Sequence, residues 1–408
     1  MGNRDGVRNI FSGAKALALV VLGLCEFVRG ALLFFVLPIY VRGVLGMTSA
    51  TVGYAMAAHY TMDTGLRGPT GWLTDRYGQR RVLVLALMVG GFGIAMVWRA
   101  HHAWVVVLGS GLMGIGMSAV WPAVISRVTK GLPPATHATA MGGVMMAWLT
   151  GVGAGTVSMG WVLGEHVRRG FILLLGVWCL AGIIAAGVMD LRPLAQAHLR
   201  LHPRWVWAEV QSVRLLLPGT FVQTFAMGVL MPVFELYTRY QLGYSGRLYA
   251  ELLVAGGAAT VLFQIPFGRL VDRVGFRPFL VCGFTVCAVM LAALVNARAL
   301  WSVILCAAGL GTGYALVLPA WNSVLAHTVS EARKAVMWGI FMTVEGVGMA
   351  VGPLVGGHLW DSAGPAAPFW AASVILFGMA VFYGIAPVER LFRREPTAGT
   401  AEDLPEVL

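Results

Sequence analysis

In this chain of 408 residues, 58% are hydrophobic and 12% charged, far from soluble domains, where about a quarter of residues carry charge. A net charge of +11 would point to nucleic acid in a soluble protein, but here the basic residues collect on alternate turns between apolar runs, as the positive-inside rule requires. A soluble enzyme and a nucleic-acid binder are excluded, and an all-α membrane protein is predicted.

A bilayer span needs about 20 mostly apolar residues. In chain order the runs predict spans at 14–41, 49–71, 82–98, 103–126, 138–163 and 170–188, then 215–240, 247–268, 278–296, 300–326, 335–359 and 367–388. The first run has no small-residue cleavage site after it, so it reads as a span and not as a cleavable signal. Arg4 and Arg8, Arg76, Arg80 and Arg81, Arg127 and Lys130 fall on one side. So do Arg192, Arg200, Arg204 and Arg214, Arg269, Arg273 and Arg277, Arg333 and Lys334, and Arg390, Arg393 and Arg394. The opposite turns hold only Arg42, Arg99, Arg168, Arg169, Arg247 and Arg298. Both termini are therefore expected in the cytoplasm of a multi-pass bacterial cell-membrane protein. The expected domains are a six-helix bundle at 1–189, a cytoplasmic linker at 190–214, a second bundle at 215–388 and a cytoplasmic tail at 389–408. A short amphipathic helix is expected in the linker around Trp205 and Trp207. The five cysteines all lie in apolar runs, without metal-ligand spacing, and read as small hydrophobes.

Ionisable residues inside spans are costly and mark functional sites. Span 1 carries Glu26 and Arg29, spaced i, i+3 on one helix face; span 2 carries His59, Asp63 and Arg67 at i, i+4 and i+8. Trp121 lies near the end of span 4 and Trp148 in span 5, where aromatic faces can stack on a sugar or hold a cation. Glu345 is a lone acid in span 11. Desolvation and a neighbouring guanidinium act on a buried carboxylate in opposite senses, so a small shift of Arg29 could switch its proton affinity. Asp63 is the first choice for proton coupling and Glu26 the second. Plain helix-packing ion pairs are the competing account of the same charges.

The two halves repeat. Gly71–Arg81 after span 2 and Gly268–Arg277 after span 8 share one pattern, and an offset of 197 residues superposes Asp75 on Asp272. The same offset places Gly114, Gly116 and Pro122 on Gly311, Gly313 and Pro319, and Gly151 and Gly155 on Gly348 and Gly352. The charges do not repeat, because Glu26, Arg29, His59 and Asp63 fall on Gln223, Ala226, Gly256 and Thr260. A polar ligand or a proton on the N-terminal side of a cavity accounts for that asymmetry.

The paired turn resembles the signature of the major facilitator superfamily. That resemblance implies a major facilitator fold of twelve transmembrane helices in two six-helix halves, which rock about a midplane site. It implies a gating turn built from Gly71, Asp75, Arg76, Gly78 and Arg80, with Asp272 and Arg273 in the second copy. Asp75 is expected to pair with Arg76 or Arg80 at a helix end. The run CEFVRG in span 1, AAHYTMD in span 2, GIGMSAVWP in span 4 and AWLTGVGAG in span 5 are similar to the glycolipid flippases of the lipoteichoic-acid pathway, as are LPAWNSVLA and WGIFMTVEGVGMAVGPLVGG in spans 10 and 11. The likeness implies a proton-coupled antiporter that moves a diacylglycerol-linked disaccharide from inner to outer leaflet. Glu26, Arg29, Asp63, Trp121, Trp148 and, less directly, His59 would serve it. The expected partners are protons, an amphipathic glycolipid and membrane lipid, with no cofactor, metal or nucleic acid, and the chain is expected to work as a monomer. A drug or metabolite exporter of the same fold, or a non-transporting membrane scaffold, would share most of these features; no enzyme motif is present.

Overall fold

The computed structural model describes residues 13–132, 136–162, 167–191, 216–328 and 334–386, with Val210, Gln211 and Arg214 between them. The expected linker helix around Trp205 and Trp207, the terminal arginines and the 389–408 tail lie outside the described residues. Twelve helical passes are present among those described. The first six are α1 (Gly13–Val44), α2 (Ser49–Tyr77), α3 (Gln79–Trp98), α4 (Ala103–Thr129), α5 (His137–Val162) and α6 (Val167–Val188). The second six are α7 (Leu217–Tyr240), α8 (Gly246–Val274), α9 (Arg277–Asn296), α10 (Leu300–Thr328), α11 (Lys334–Ala363) and α12 (Ala367–Ile385). Eleven of them are long and apolar enough to cross a bilayer; α2 is long enough but carries His59, Asp63 and Arg67.

Sequence repetition becomes structural repetition. Thr48 and Ser245 cap α2 and α8, accepting from the backbone N–H of Thr51 and Leu248 at 3.3 Å each. Gly78 and Gly275 end the same helices with φ of 91° and 94°, a backbone state that a Cβ resists. This corrects the reading of Gly71–Arg81 and Gly268–Arg277 as turns. Their first seven residues continue the helices, and the chain reverses only where glycine permits a positive φ. The hydroxyls of Tyr40 and Tyr237 donate to the carbonyls of Trp98 and Val295 at 2.7 and 3.2 Å, again 197 residues apart. A Cβ on Gly71 would lie 3.8 Å from that of Pro122, and one on Gly268 3.7 Å from that of Pro319.

Each half closes on its own core, one packed around Phe35, Phe171 and Trp178 and the other around Phe284, Trp321 and Phe369. Small residues set the crossings, since helices in lipid gain most from close backbone approach. A Cβ on Gly116 of α4 would sit 2.8 Å from Gly90 Cα and 2.9 Å from Ala86 O of α3.

We call the end that holds Gly13 and Ile385 the terminal end and the opposite one the distal end. The halves meet from the level of Thr64 and Gly346 outward to the distal end. Gly357 of α11 lies against Ala50 of α2, Gly160 of α5 against Ala250 of α8, and Tyr249 donates to Phe34 O at 3.2 Å. The Asp361 carboxylate at the end of α11 accepts from the first amides of α2, Ser49 at 3.2 Å and Ala50 at 2.7 Å, and pairs with Arg42 at 3.2 Å. An acid at a helix N-terminus is favoured by the unpaired amides and the helix dipole. On the other side of Thr64, Gly65 and Gly68 face open space.

Overpacking a tight crossing typically costs about 1–3 kcal/mol. Gly116→Leu should therefore lower the thermal midpoint in detergent, whereas Gly142→Ala, at a site with nothing within 4 Å, should not. Equal midpoints for the two variants would show that α3 and α4 are not held by backbone contact.

Candidate functional site

The central cluster is assembled by three helices. Glu26 and Arg29 project from one face of α1, a turn before its backbone widens into a π-helical stretch at Leu32–Val36; such insertions are frequent at functional sites. Gly151 of α5 rides directly over them, where an added Cβ would be 2.9 Å from Glu26 Cβ. Gly155 crosses at Phe27 a turn later, while Gly153 faces open space. The glycines of span 5 thus seal Glu26 from lipid and water, and it is fully buried.

Arg29 stands between two carboxylates. Its Nη2 is 2.5 Å from Glu26 Oε2, an ionic contact without in-line hydrogen-bond alignment, and its Nη1 donates to Asp63 Oδ2 at 3.4 Å. Arg67, one turn along α2 from Asp63, donates Nε to Oδ1 at 3.2 Å and Nη2 to Oδ2 at 2.8 Å. This two-point geometry is the strong form of a guanidinium–carboxylate contact. Trp121 donates its indole N–H to Glu26 Oε1 at 2.8 Å. Its ring meets that of Trp148 edge-on, with centroids 6.4 Å apart. The structure therefore brings Glu26, Arg29, Asp63, Trp121 and Trp148 together. Trp121 is buried well inside α4, just past a break at Ala119, and not near a span end.

His59 is set apart from that network. Gly114 presses against its backbone, it has no exposed surface, and neither ring nitrogen has a hydrogen-bond partner. Its ring lies edge-on to Tyr60 at 5.2 Å. Of the five side chains expected to touch substrate, only Trp148 is partly exposed. Arg67, not among the residues expected to serve transport, holds Asp63 most closely and at 28% side-chain exposure is the charged member of the cluster that reaches water. It is also the cation in electrostatic range of Glu345 on α11. In the second half, where the repeat has lost the charges, Thr260 bonds the backbone oxygens of Gly256 and Gly311 at 3.0 Å each.

The gating turn is arranged differently from expectation. Neither Arg76 nor Arg80 forms an ion pair with Asp75. The Arg76 guanidinium lies over the rings of Trp72 and Tyr77 at 5.2 and 5.5 Å, and the Arg80 backbone N–H donates to Asp190 O at 3.0 Å. Gly71 packs on Pro122, Gly78 abuts Leu191, and Asp272 and Arg273 are exposed. The carboxylate that does clasp this end is Asp190, with Arg127 Nη1 at 2.8 Å and Lys130 Nζ at 2.7 Å. Partial burial pushes its carboxyl up, but Lys130 and Arg127 outweigh that and hold it below the usual aspartate range. Asp190 and Asp361 escaped the sequence reading because both look like ordinary loop charges until the fold brings their partners from elsewhere.

A family model for the Major Facilitator Superfamily matches residues 19–204 and 216–406. The proton-coupled antiporter flippase LtaA of Staphylococcus haemolyticus (strain JCSC1435) is 26% identical over 380 residues, covering 90% of this chain and 92% of the relative. Its namesake from Staphylococcus aureus (strain USA300) is 25% identical over 397 residues, covering 93% and 97%. Among solved structures, a variant of the nucleoside transporter NupG superposes with a TM-score of 0.74 at 12% identity, over 93% of this chain and 100% of that one. That likeness concerns the fold alone.

Arg67→Gln leaves Asp63 with only the longer Arg29 contact. The loss should be about 1.5–3 kcal/mol, the range for hydrogen bonds to a charged group. Adding Asp63→Asn should recover part of it, because an amide needs no cation. Thermal midpoints of the four proteins measure the coupling, and simple additivity would mean the two side chains do not act as a pair. At the terminal end, the depressed Asp190 carboxyl contributes stability that is complete above the ordinary aspartate value and lost as pH falls through its lower folded-state value. The midpoint of the unaltered protein should approach that of Asp190→Asn only below about pH 4. Convergence of the two near neutrality would contradict the clasp.

Proposed function

The chain belongs to the Major Facilitator Superfamily, and on that premise we propose that it is a proton-coupled antiporter flippase for a diacylglycerol-linked disaccharide. The observation that carries this reading is the neutral set of two carboxylates and two guanidiniums in one half, with Trp121 bonded to Glu26 and Trp148 beside it. A transporter that moved only an apolar molecule would have no use for four charges inside membrane spans, three of them buried, where each is costly. The names of the relatives, proton-coupled antiporter flippases, agree with it.

In this reading Asp63 carries the coupling proton. Protonation of Asp63 releases Arg67 and Arg29 from their shared carboxylate, and Arg29 then serves Glu26 or the hydroxyls of a sugar. The two indoles flank the head group, while acyl chains lie along the second half, which lacks the counterparts of Glu26, Arg29 and Asp63. The bundles 1–189 and 215–388 move as rigid bodies joined by the 190–214 linker. The distal closure corresponds to a state open to the cytoplasm, with the terminal end placed there by its arginines. Asp75 latches that end when the bundle is open the other way, in keeping with its having no ion pair among the described residues here. The chain works alone, and both termini are cytoplasmic.

Purified protein in liposomes, given a fluorescent glycolipid and a pH gradient, tests the coupling. Asp63→Asn should abolish gradient-driven movement while expression and folding stay near normal; full activity would move the proton to Glu26 or Glu345. Substrate class is read from competition. A free glucose disaccharide should displace the glycolipid, and a lipophilic cation should do so poorly because Arg29 repels it in a low-dielectric site. Trp148→Ala should weaken binding several-fold to about tenfold, the equivalent of roughly 0.5–1.5 kcal/mol for one aromatic contact. Displacement by the cation and not by the sugar would replace the flippase with a drug exporter.

A further inference from the structure

Glu235 opens the second segment of α7, directly after a break in the helix at Met231–Val233. It is 1% exposed, and its Oε2 accepts no hydrogen bond. The repeat places Pro38 opposite it, so duplication does not explain the acid, and no step described above uses it. The surroundings are aromatic: Phe234 lies 6.0 Å from Tyr249 and 6.1 Å from Phe369, and Tyr237 lies 4.5 Å from Phe369. This segment packs at the distal seam between the halves, where Tyr249 donates to Phe34 O at 3.2 Å.

Most charged and titratable groups around the segment are engaged elsewhere; Tyr240 ends the segment, and Tyr244, whose N–H donates to Thr238 O, has a buried hydroxyl with no hydrogen-bond partner among the described residues. On α1, Tyr40 bonds Trp98 O and Arg42 is held by Asp361 of α11. On α8, Arg247 pairs with Glu251 at 3.0 Å, and Tyr249 reaches across the seam. Beyond α9, Arg298 donates to the carbonyls of Val295 and Ala297, and Tyr237 also bonds Val295 O. The distal half of α12 carries no charge. Arg239, one turn along the same segment and partly exposed, is the cation acting on Glu235, but it forms no ion pair with it. A carboxylate cut off from water needs such a pair to remain charged, and a neutral acid does not.

Resting on the transporter reading above, we propose that Glu235 is a second proton-binding site, on the C-terminal half, that takes a proton from the distal water as the seam closes and returns it there as the seam opens. The step is the gain of one O–H bond by a carboxylate oxygen, and its loss in reverse. No net proton crosses the membrane through it, so the proton exchanged for substrate remains that of Asp63. The consequence is directional. Acid on the distal side favours closure there, the same sense in which an inward proton gradient resets an antiporter.

Hydrogen–deuterium exchange on the full chain in nanodiscs, followed in peptides spanning 34–49 and 245–250 and corrected for intrinsic exchange, reads the opening of the seam. In Asp63→Asn, which lacks the coupling carboxyl, opening should increase with pH by up to about tenfold per unit, the limit for one linked proton. Adding Glu235→Gln should flatten that response, and adding Glu235→Asp should keep it. An infrared band from a protonated carboxyl should persist in Asp63→Asn and disappear when Glu235→Gln is added. If Glu235→Gln does not fold, Glu235→Asp still tests the site, since the shorter acid should shift the band. A full pH response when Glu235→Gln is added to Asp63→Asn, or none in Asp63→Asn alone, overturns the proposal. Failure of gradient-driven flipping by the unaltered protein would instead count against the transport reading, leaving the exchange result to stand by itself.

Discussion

A carboxylate in the middle of a bilayer has to be matched by a cation, because the lipid offers nothing in place of the lost hydration. Here two carboxylates share one guanidinium, Arg29, and a second guanidinium, Arg67, completes the balance. That requirement ties α1 to α2, and the indole of Trp121 ties α4 to both. The seal over the cluster is made by α5, whose glycine at position 151 lets the backbone come down onto Glu26. Charge matching and close backbone approach are therefore one design. A larger residue at 151 would lift α5 and admit water to Glu26, and an unmatched charge would cost more than the crossing gains.

The same logic explains why the halves are not equivalent. Their scaffolds agree down to the hydrogen bonds of Tyr40 and Tyr237, the caps at Thr48 and Ser245 and the glycines that end α2 and α8. Repetition survives where it serves geometry. It disappears at Gln223, Ala226, Gly256 and Thr260, positions whose counterparts carry charge or a buried ring. At the second-half site Thr260 satisfies its hydroxyl on nearby carbonyls, so no charge there needs a partner. A symmetric frame thus carries an asymmetric interior, with charges on α1 and α2 that α7 and α8 lack at the matching positions.

Most of the fold was legible because its signals are local. Apolar runs of span length, a constant offset and glycines at repeating positions need no knowledge of distant contacts. The cluster was legible for a related reason: i, i+3 and i, i+4 spacing on two helices places the charges on defined faces. Three things were not. The helical continuation of Gly71–Tyr77 was hidden because the sequence there looks like a polar turn, and only the positive φ of Gly78 marks the true end. The weight of Arg67 was hidden because which of two arginines sits nearer Asp63 depends on how α1 and α2 cross. Asp190 and Asp361 were hidden entirely, because their partners lie 60 and 311 or more residues away in sequence.

Asp361 also gives the distal closure a mechanical sense. It ends α11 and caps the start of α2, whereas Asp75, at the terminal end of α2, has no ion pair among the described residues. Both helices are long, 29 and 30 residues, and they touch at Thr64 and Gly346 near their midpoints. In the cycle proposed above, two rods in contact at the middle would act as a lever, so that drawing the distal ends together parts the terminal ends. Asp361 holds the distal closure on the amides that begin α2, and in the proposed cycle Asp75 would make the matching charge–dipole contact in the opposite state. Neither contact needs to be strong. Each has only to outweigh the other when ligand or proton has tilted the balance, and a difference of about 1.4 kcal/mol already changes the ratio of the two states tenfold.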